Sequence, residues 1–597
     1  MAGMSDSTRS PTSEPSHKTS LGNRPDGGGQ AKRTAWPQVS KQIAAAAVTS
    51  LICCAVLGLH ARQMIASKSA TFDETIYMVL AQSSRAFGFP DPRLASMGVA
   101  PLPVWVAHLP ANWNRPQFRI DYLRGEPDDA AAIRHARWIA LTMFAMPGVM
   151  LVVLWLGRRR GWLVGLAGGL LLALSPSWIG HGSLATTDVA VATCWLLLAV
   201  CTTAAWRRPT VTWLVIVCLT WGTAVAAKYS ALAGLPLVLA VVVRFVWMRD
   251  RSVATNLARV ATGAVAASCL ALMVTWMWHA CEWNRLPGES ADQDTALVPA
   301  PVAGVVAQWQ HQKRGHPAYL LGDVRSHGWI AYFPIALFCK SSPVEFLGLL
   351  ALWIAPPLLW WRRRSVGRDR ADRPPRRSDP AVAMWIGLSW LVGLTALAST
   401  INLGHRYLLV LYPLAILFAV DRLARWRITW TRWLIGALVA GQAIVAVSTS
   451  PHFLAYFSPL VGGGDRGHLW LGDSNLDWGQ DLPALRRWCR RHPRATGRIV
   501  YFGTADPGQE TIIWPTASAA DWENGAPFTY LAVSVTVLQE IYPPWFDGIQ
   551  GELPQGLAAK LLRERPVAKA GHSIWIFDLD QPRIRDWLRQ YQRKRSQ

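Results

Sequence analysis

Two adjacent carboxylates, Asp73 and Glu74, stand in the stretch Thr71-Phe72-Asp73-Glu74-Thr75-Ile76-Tyr77, a few residues beyond the first long apolar run of the chain. In a helix, Asp73 and Tyr77 share one face, at i and i+4. A carboxylate held at the edge of a membrane can act as a general base or hold a cation. Two carboxylates alone supply too few oxygen ligands to assign a metal, so a divalent ion at Asp73 and Glu74 stays open. The same acids would also cap a solvated helix, where negative charge meets the positive end of the dipole.

A second group of ionisable residues lies between apolar runs. Ser175-Pro176 is followed by His181-Gly182-Ser183-Leu184-Ala185-Thr186-Thr187-Asp188, read as a tight turn. His181 and Asp188 then sit at a membrane edge, where ionisable groups are functional candidates, although Asp188 would also cap the helix after it. Isolated cations flank other runs: Arg137, Lys228 in Lys228-Tyr229-Ser230, Lys340 at the end of Tyr332–Lys340, and Arg406 in His405-Arg406-Tyr407. Such cations point to a bound anion, and phosphate at the membrane surface fits; taken one at a time, each would read as a snorkelling side chain. Gly462-Gly463-Gly464 and the stretch Asp473–Asp481 follow later. Glycine-rich loops can cradle phosphate. No strand with dinucleotide spacing precedes this one, so it reads better as a connection docking an outer segment onto the membrane face.

The elements that must position these residues are membrane helices. Apolar runs of spanning length fall at about 42–60, 136–156, 162–180, 189–206, 211–227, 231–248, 258–278, 344–361, 381–398, 407–420 and 433–449, which predicts about eleven crossings. Alternate loops hold Arg158–Arg160, Arg207-Arg208 and the stretches 244–251, 362–377 and 422–432, with 20 Arg against four acids, Asp250, Asp369, Asp372 and the adjoining Asp421. The short turns at 181–188 and 399–405 hold no Lys or Arg at all. The positive-inside rule then places the N-terminus in the cytoplasm and the C-terminus outside. Segments at about 61–135, about 279–343 and after about 450 fall outside. Residues 1–38, rich in Ser, Pro and Gly, read as a disordered tail, and 39–449 as the transmembrane domain. Residues 450–597 read as a small extracytoplasmic α/β domain, with strands at 499–503, 528–535 and 573–578 and helices at 481–492, 555–564 and 581–590.

Composition agrees: 51% of residues are hydrophobic and 16% charged, against about a quarter charged in an ordinary soluble domain. The net charge of +23 does not mark a nucleic-acid partner, because the Arg clusters lie between apolar runs rather than on one face. Trp138, Trp155, Trp178, Trp206, Trp361, Trp430 and Trp433 stand where spans would meet headgroups. The nine Cys, without metal-ligand spacing, read as small apolar fillers.

In this order along the chain, Asp73-Glu74, Arg137, Ser175–Asp188, Gly222–Ser230, Tyr332–Pro343 and Asn402–Tyr407 resemble the membrane-embedded, GT-C type glycosyltransferases that use lipid-carried sugars. The likeness is to the protein O-mannosyltransferase family (family 39) and its bacterial relatives, including lipid A aminoarabinose transferases. It implies a multi-pass enzyme of the plasma (inner) membrane and cell envelope. Such an enzyme transfers a sugar from a polyprenyl-phosphate donor to a protein, lipid or polysaccharide acceptor, with inversion. It implies Asp73 as general base, Glu74 in support, and Arg137, Lys228, Lys340 and Arg406 as groups for the donor phosphate. Tyr77, His181, Asp188 and His405 are the candidate substrate contacts. Two departures stand out. The 279–343 segment does not carry the domains of eukaryotic protein mannosyltransferases, and Pro101-Leu102-Pro103 stands where relatives have His-Pro-Pro. A transporter or lipid-linked-sugar flippase is the competing reading, but no two halves of the chain repeat, as transporter halves do.

Overall fold

The computed structural model describes residues 28–87, 90–111, 129–248, 253–288, 295–366, 379–426 and 428–595. Two units divide the chain, Met1–Ala47 and Val48–Gln597. The first helix, Gly28–Ser67, begins inside the stretch expected as a disordered tail, so residues 28–38 of that tail are helical. Ala31, Lys32 and Arg33 are good helix formers, and a helix once nucleated in the apolar run extends through them. Earlier tail residues, and most of the Arg-rich stretch 362–377, lie outside the described residues.

Every apolar run of the sequence is helical. Among the described residues, 7 helices are long and apolar enough to cross a membrane, or 8 if the pair Trp162–Ala173 and Pro176–Gly182 forms one span. Val211–Ala227 and Pro343–Ile354 are apolar but shorter. The helix Leu411–Leu423 has 13 residues, below the roughly 17 that a hydrocarbon core requires. The protein is thus a multi-pass helical membrane protein, with seven or eight helices of spanning length among the described residues where the sequence predicts about eleven crossings, several of the apolar runs being cut by breaks.

The breaks have local causes. Pro176 has no backbone N–H, and Ser175 caps the new helix by accepting from Trp178 N at 3.2 Å, so the chain bends by 66° there. The stretch expected as a tight turn therefore contains the short helix Pro176–Gly182. Trp178 goes with it into the core: it is fully buried rather than interfacial, and its Nε1 donates to Ala145 O. The helix Val211–Ala227 stops at Lys228, whose backbone is extended. Near the other end of the bundle, Gly161 turns the chain at φ +102°, and Gly165 lets two helices close, since a Cβ there would lie 2.7 Å from Val153 O.

Both ends of the bundle are charged, but differently. Asp421 accepts from Arg159 at 2.7 Å and Arg160 at 2.8 Å, and Asp379 from Arg207 and Arg425 at 3.3 Å each. Three of the five Arg-rich ends expected on one side therefore meet, those at 158–160, 207–208 and 422–432. The helix Thr187–Arg207 carries Asp188 in its first turn and Arg207 in its last, about 30 Å away.

At the Asp188 end lie the helix Phe72–Phe87 and two short hairpins, Trp283–Arg285 (β1) with Leu297–Pro299 (β2) and Ala318–Leu320 (β3) with Asp323–Arg325 (β4). A five-stranded sheet follows from Gly497–Phe502 (β5), Tyr530–Ser534 (β6), Ile549–Gln550 (β7), Ala568–Ala570 (β8) and Ile574–Asp578 (β9), in the order β7-β5-β6-β9-β8. Only β5 and β6 pair in parallel. The three expected strands and the helices at Leu482–Arg491, Leu557–Leu562 and Pro582–Arg595 are present. The edge strands β7 and β8 were not legible, being two and three residues long. This α/β segment belongs to the same unit as the bundle rather than standing apart.

Lys68, just past the first helix, explains part of that union. Its Nζ lies 2.5 Å from Asp481 Oδ1, with both side chains buried. Burial alone would raise Asp481, but Lys68, then His452 and the Ser573 hydroxyl, hold it down at about 2. Removing one member of a buried pair leaves an uncompensated charge and costs about 3–5 kcal/mol. Asp481→Ala should therefore lower the thermal midpoint in detergent sharply, and Lys68→Met combined with Asp481→Leu should recover most of the loss.

Candidate active site

Asp73 lies in the first turn of Phe72–Phe87, Asp188 in the first turn of Thr187–Arg207, Lys228 at the extended break, and Arg406 in the 3-10 turn His405–Leu408. Helix starts and breaks leave side chains free to converge, and these four do. Arg406 Nη1 donates to Asp73 Oδ2 at 2.8 Å and to Asp188 Oδ2 at 3.3 Å. Lys228 Nζ donates to Asp188 Oδ1 at 2.6 Å. The result is a row of alternating charge: Asp73, Arg406, Asp188, Lys228. Its middle is dry and its ends are open: side-chain exposure is 0% for Asp188 and 7% for Arg406, but 22% for Asp73 and 23% for Lys228.

Aromatic rings line the cations. The Arg406 guanidinium stands 4.2 Å from the Trp478 ring centroid and 5.3 Å from that of Tyr407, while Lys228 stands 4.2 Å from Tyr407. Desolvated contacts of this kind are worth about 2 kcal/mol. Beside them, His181 and His405 lie ring to ring at 5.2 Å, and His405 Nε2 is 3.0 Å from Ser177 Oγ. Burial first, then the nearby Lys340, pushes the His405 imidazole well below its ordinary range. Two buried nitrogens of this wall, Arg406 Nε and His181 Nδ1, have no hydrogen-bond partner among the described residues. Each is a polar atom that a further polar group could satisfy. Tyr77 is buried close to Asp73, Asp188 and Arg406, and burial pushes its phenol well above the ordinary value.

Other expected site residues fall elsewhere. Glu74 and Arg137 form a fully buried fork, Nε to Oε1 at 2.8 Å and Nη2 to Oε2 at 2.7 Å. Arg137 also donates to Lys68 O and Ser69 O, and Glu74 also accepts from Thr71 and from Ala185 N. Both Glu74 oxygens and four of the five guanidinium N–H groups are thus engaged within the protein, and the pair ties the turn before Asp73 to the bundle. Successive helical residues point about 100° apart, which is why neighbours Asp73 and Glu74 face different partners. The two do not fit a shared metal ion, and among the described residues no group of three or more His, Cys, Asp or Glu side chains converges as ligands. Lys340 donates to Leu454 O at 2.8 Å and Asn475 O at 2.6 Å, joining the bundle to the 475 loop. Trp478, Tyr407 and Asn475 were missed as candidates; nothing marked Trp478 among 33 Trp. A cavity of about 250 Å³, lined by Lys68, Thr75, Met78, Arg134, Arg486 and Glu510 among others, lies on the other face of the Asp73 helix and does not include the charge row.

No family model and no curated protein matches the chain. Among solved structures, ArnT from Cupriavidus metallidurans bound to undecaprenyl phosphate is similar at 13% identity, covering 92% of this chain and 99% of that one, with a TM-score of 0.44. The apo form of ArnT is similar at 16% identity over 72% of this chain and 66% of that one, just under two thirds of its length, with a TM-score of 0.38. The Archaeoglobus fulgidus oligosaccharyltransferase in complex with Zn and sulfate is similar at 12% identity, covering 83% and 68%, with a TM-score of 0.39. Likenesses this distant fix neither substrate nor residue roles.

The Glu74–Arg137 fork makes a pH-dependent prediction. Burial opposes the Glu74 charge, but Arg137, Thr71 and the Ala185 amide outweigh it and hold the carboxyl below its ordinary value. A depressed carboxylate stabilises the fold above its unfolded-state pKa and loses that contribution as pH falls through the folded-state value. Glu74→Gln should cost about 3 kcal/mol or more near pH 7, because Arg137 stays buried and unpaired. The gap from wild type should shrink as pH falls below the ordinary glutamate range, as followed by thermal midpoints across pH.

Proposed function

We propose that the protein is a glycosyltransferase that moves a sugar from a polyprenyl-phosphate donor to an acceptor hydroxyl at the Asp188 end of the bundle, the extracytoplasmic face. One observation carries this reading. A partly exposed carboxylate, Asp73, pairs with a buried guanidinium, Arg406, that has an unused Nε donor, and a second cation, Lys228, stands at the mouth of the same row. The sequence resemblance to the GT-C glycosyltransferases, which runs through Asp73, Asp188, Lys228 and Arg406, supports it.

The chemistry follows from the geometry. The acceptor oxygen forms a bond to the anomeric carbon as the bond from that carbon to the phosphate oxygen breaks, and the acceptor proton passes to Asp73. One displacement inverts the sugar carbon and leaves polyprenyl phosphate. Charge grows on the leaving phosphate, and cations fixed in a site of low dielectric stabilise it without reorganising. Arg406 supplies a planar donor fork and Lys228 a mobile point charge. Asp188 keeps both cations charged and in place while no phosphate is present. Glu74 and Arg137 act as structure rather than as chemical groups. Tyr77, His181 and His405 line the pocket wall as substrate contacts. The acceptor is a protein, lipid or polysaccharide of the cell envelope, and the sugar a hexosyl or pentosyl unit such as mannose.

The test is transfer of radiolabelled sugar from a polyprenyl-phosphate donor in membranes. Asp73→Asn should reduce the rate by about 100-fold or more, the scale of a lost general base, while donor binding persists. Equal rates in both would remove Asp73 from the mechanism. Movement of the donor across the bilayer without transfer would point to a flippase.

A further inference from the structure

Trp478 is among the largest fully buried side chains of the protein, yet it belongs to the loop leading into the α/β segment rather than to the helix bundle. Its carbonyl accepts from Phe72 N at 3.1 Å, the residue before Asp73. Its own N–H donates to Gln480 Oε1 at 2.7 Å, which fixes the loop. Two neighbours act alike. Asn475 Oδ1 accepts from His405 N at 3.0 Å, the residue before Arg406, and Gln480 O accepts from Ser69 N at 3.0 Å. One loop thus grips the chain just before the carboxylate and just before the guanidinium.

The contact adds a reason for an aromatic residue. The Arg406 guanidinium carbon stands 4.2 Å over the Trp478 ring, and a neutral ring shields the cation without a carboxylate's charge. The Nη1 donor is meanwhile given to Asp73 and Asp188. A carboxylate in the same place would neutralise the cation and take its N–H groups. A purely apolar filler would leave the guanidinium able to rotate.

We propose that Trp478 is a positioning residue for Arg406, so that the 475–480 loop of the α/β segment sets where the guanidinium stands relative to Asp73; its meaning for transfer rests on the reading of Arg406 as the group that meets the leaving phosphate. Two measurements separate this proposal from that reading. The first needs no substrate: phenylglyoxal modification of arginines in the purified full chain, mapped by mass spectrometry. Arg406 should react about tenfold faster in Trp478→Leu than in wild type, in line with the loss of one desolvated cation–π contact. Trp478→Phe should stay close to wild type, and Arg137, locked by Glu74, should stay protected in all three. Should Trp478→Leu not fold, Trp478→Met carries the same expectation. The second is transfer kinetics, where Trp478→Leu should lower kcat or raise the donor KM by about tenfold, leave the acceptor KM unchanged, and be largely rescued by Trp478→Phe. Equal protection of Arg406 in Trp478→Leu, or exposure of Arg406 and Arg137 together, would overturn the positioning role. A wild type inactive in transfer, with the modification pattern as expected, would keep that role and discard the glycosyltransferase reading.

Discussion

A charge removed from water must be matched at short range, and the row Asp73–Arg406–Asp188–Lys228 meets that demand in its buried middle, where Arg406 and Asp188 each pair on both sides. Its members come from four separate places: a helix start beyond the first span, the start of Thr187–Arg207, a break after residue 227 and the turn at residues 405–408. No backbone ladder connects these places. Their relative position is set by ion pairs and rings, with Arg406 bonded to two carboxylates and stacked on Trp478. Losing a middle member, Arg406 or Asp188, breaks two contacts of the row at once, whereas losing an end, Asp73 or Lys228, leaves its neighbour paired on the other side.

The residues around Asp73 are held several times over. Lys68 pairs with Asp481, Ser69 bonds to Gln480 and accepts from Arg137, Thr71 bonds to Glu74, and Phe72 bonds to Trp478. Thr75 follows with a hydrogen bond to Thr504 at 2.5 Å. These links reach both the bundle and the α/β segment, which is why the two form one unit. A catalytic carboxylate gains from such over-determination, because a displacement of about 1 Å can cost a hundredfold in rate.

Much of this was legible in the sequence. Apolar runs bounded by Arg gave the helices and the gathering of their basic ends. Ser175-Pro176 marked the bend, cations standing alone beside apolar runs marked two of the four site segments, at Lys228 and Arg406, and the acids Asp73 and Asp188 marked the other two. Pairing was not legible. Arg137 and Glu74 are 63 positions apart, Arg406 and Asp188 are 218, and Arg406 and Asp73 are 333. Nothing in residue type distinguishes a cation that meets a ligand from one that braces a turn, so Arg137 and Lys340 read the same as Lys228 and Arg406. Trp478 was hidden for another reason: its role comes from what it stacks on, and stacking leaves no periodic signature.

The resting row also bears on how the proposed reaction would proceed. Two carboxylates oppose two cations, so the row is balanced before a substrate arrives. When Asp73 takes the acceptor proton it becomes neutral, and its hold on Arg406 weakens at the moment the phosphate oxygen gains charge. The guanidinium can then turn its in-plane donors towards the leaving group while Asp188 still anchors it and Trp478 still covers its face. In the proposed reaction, Asp73 and Arg406 would thus be coupled through one 2.8 Å contact rather than acting in separate pockets. In this arrangement the base must touch Arg406, and the support at Arg406 must come from a neutral ring, because a third carboxylate there would hold the guanidinium back from the phosphate.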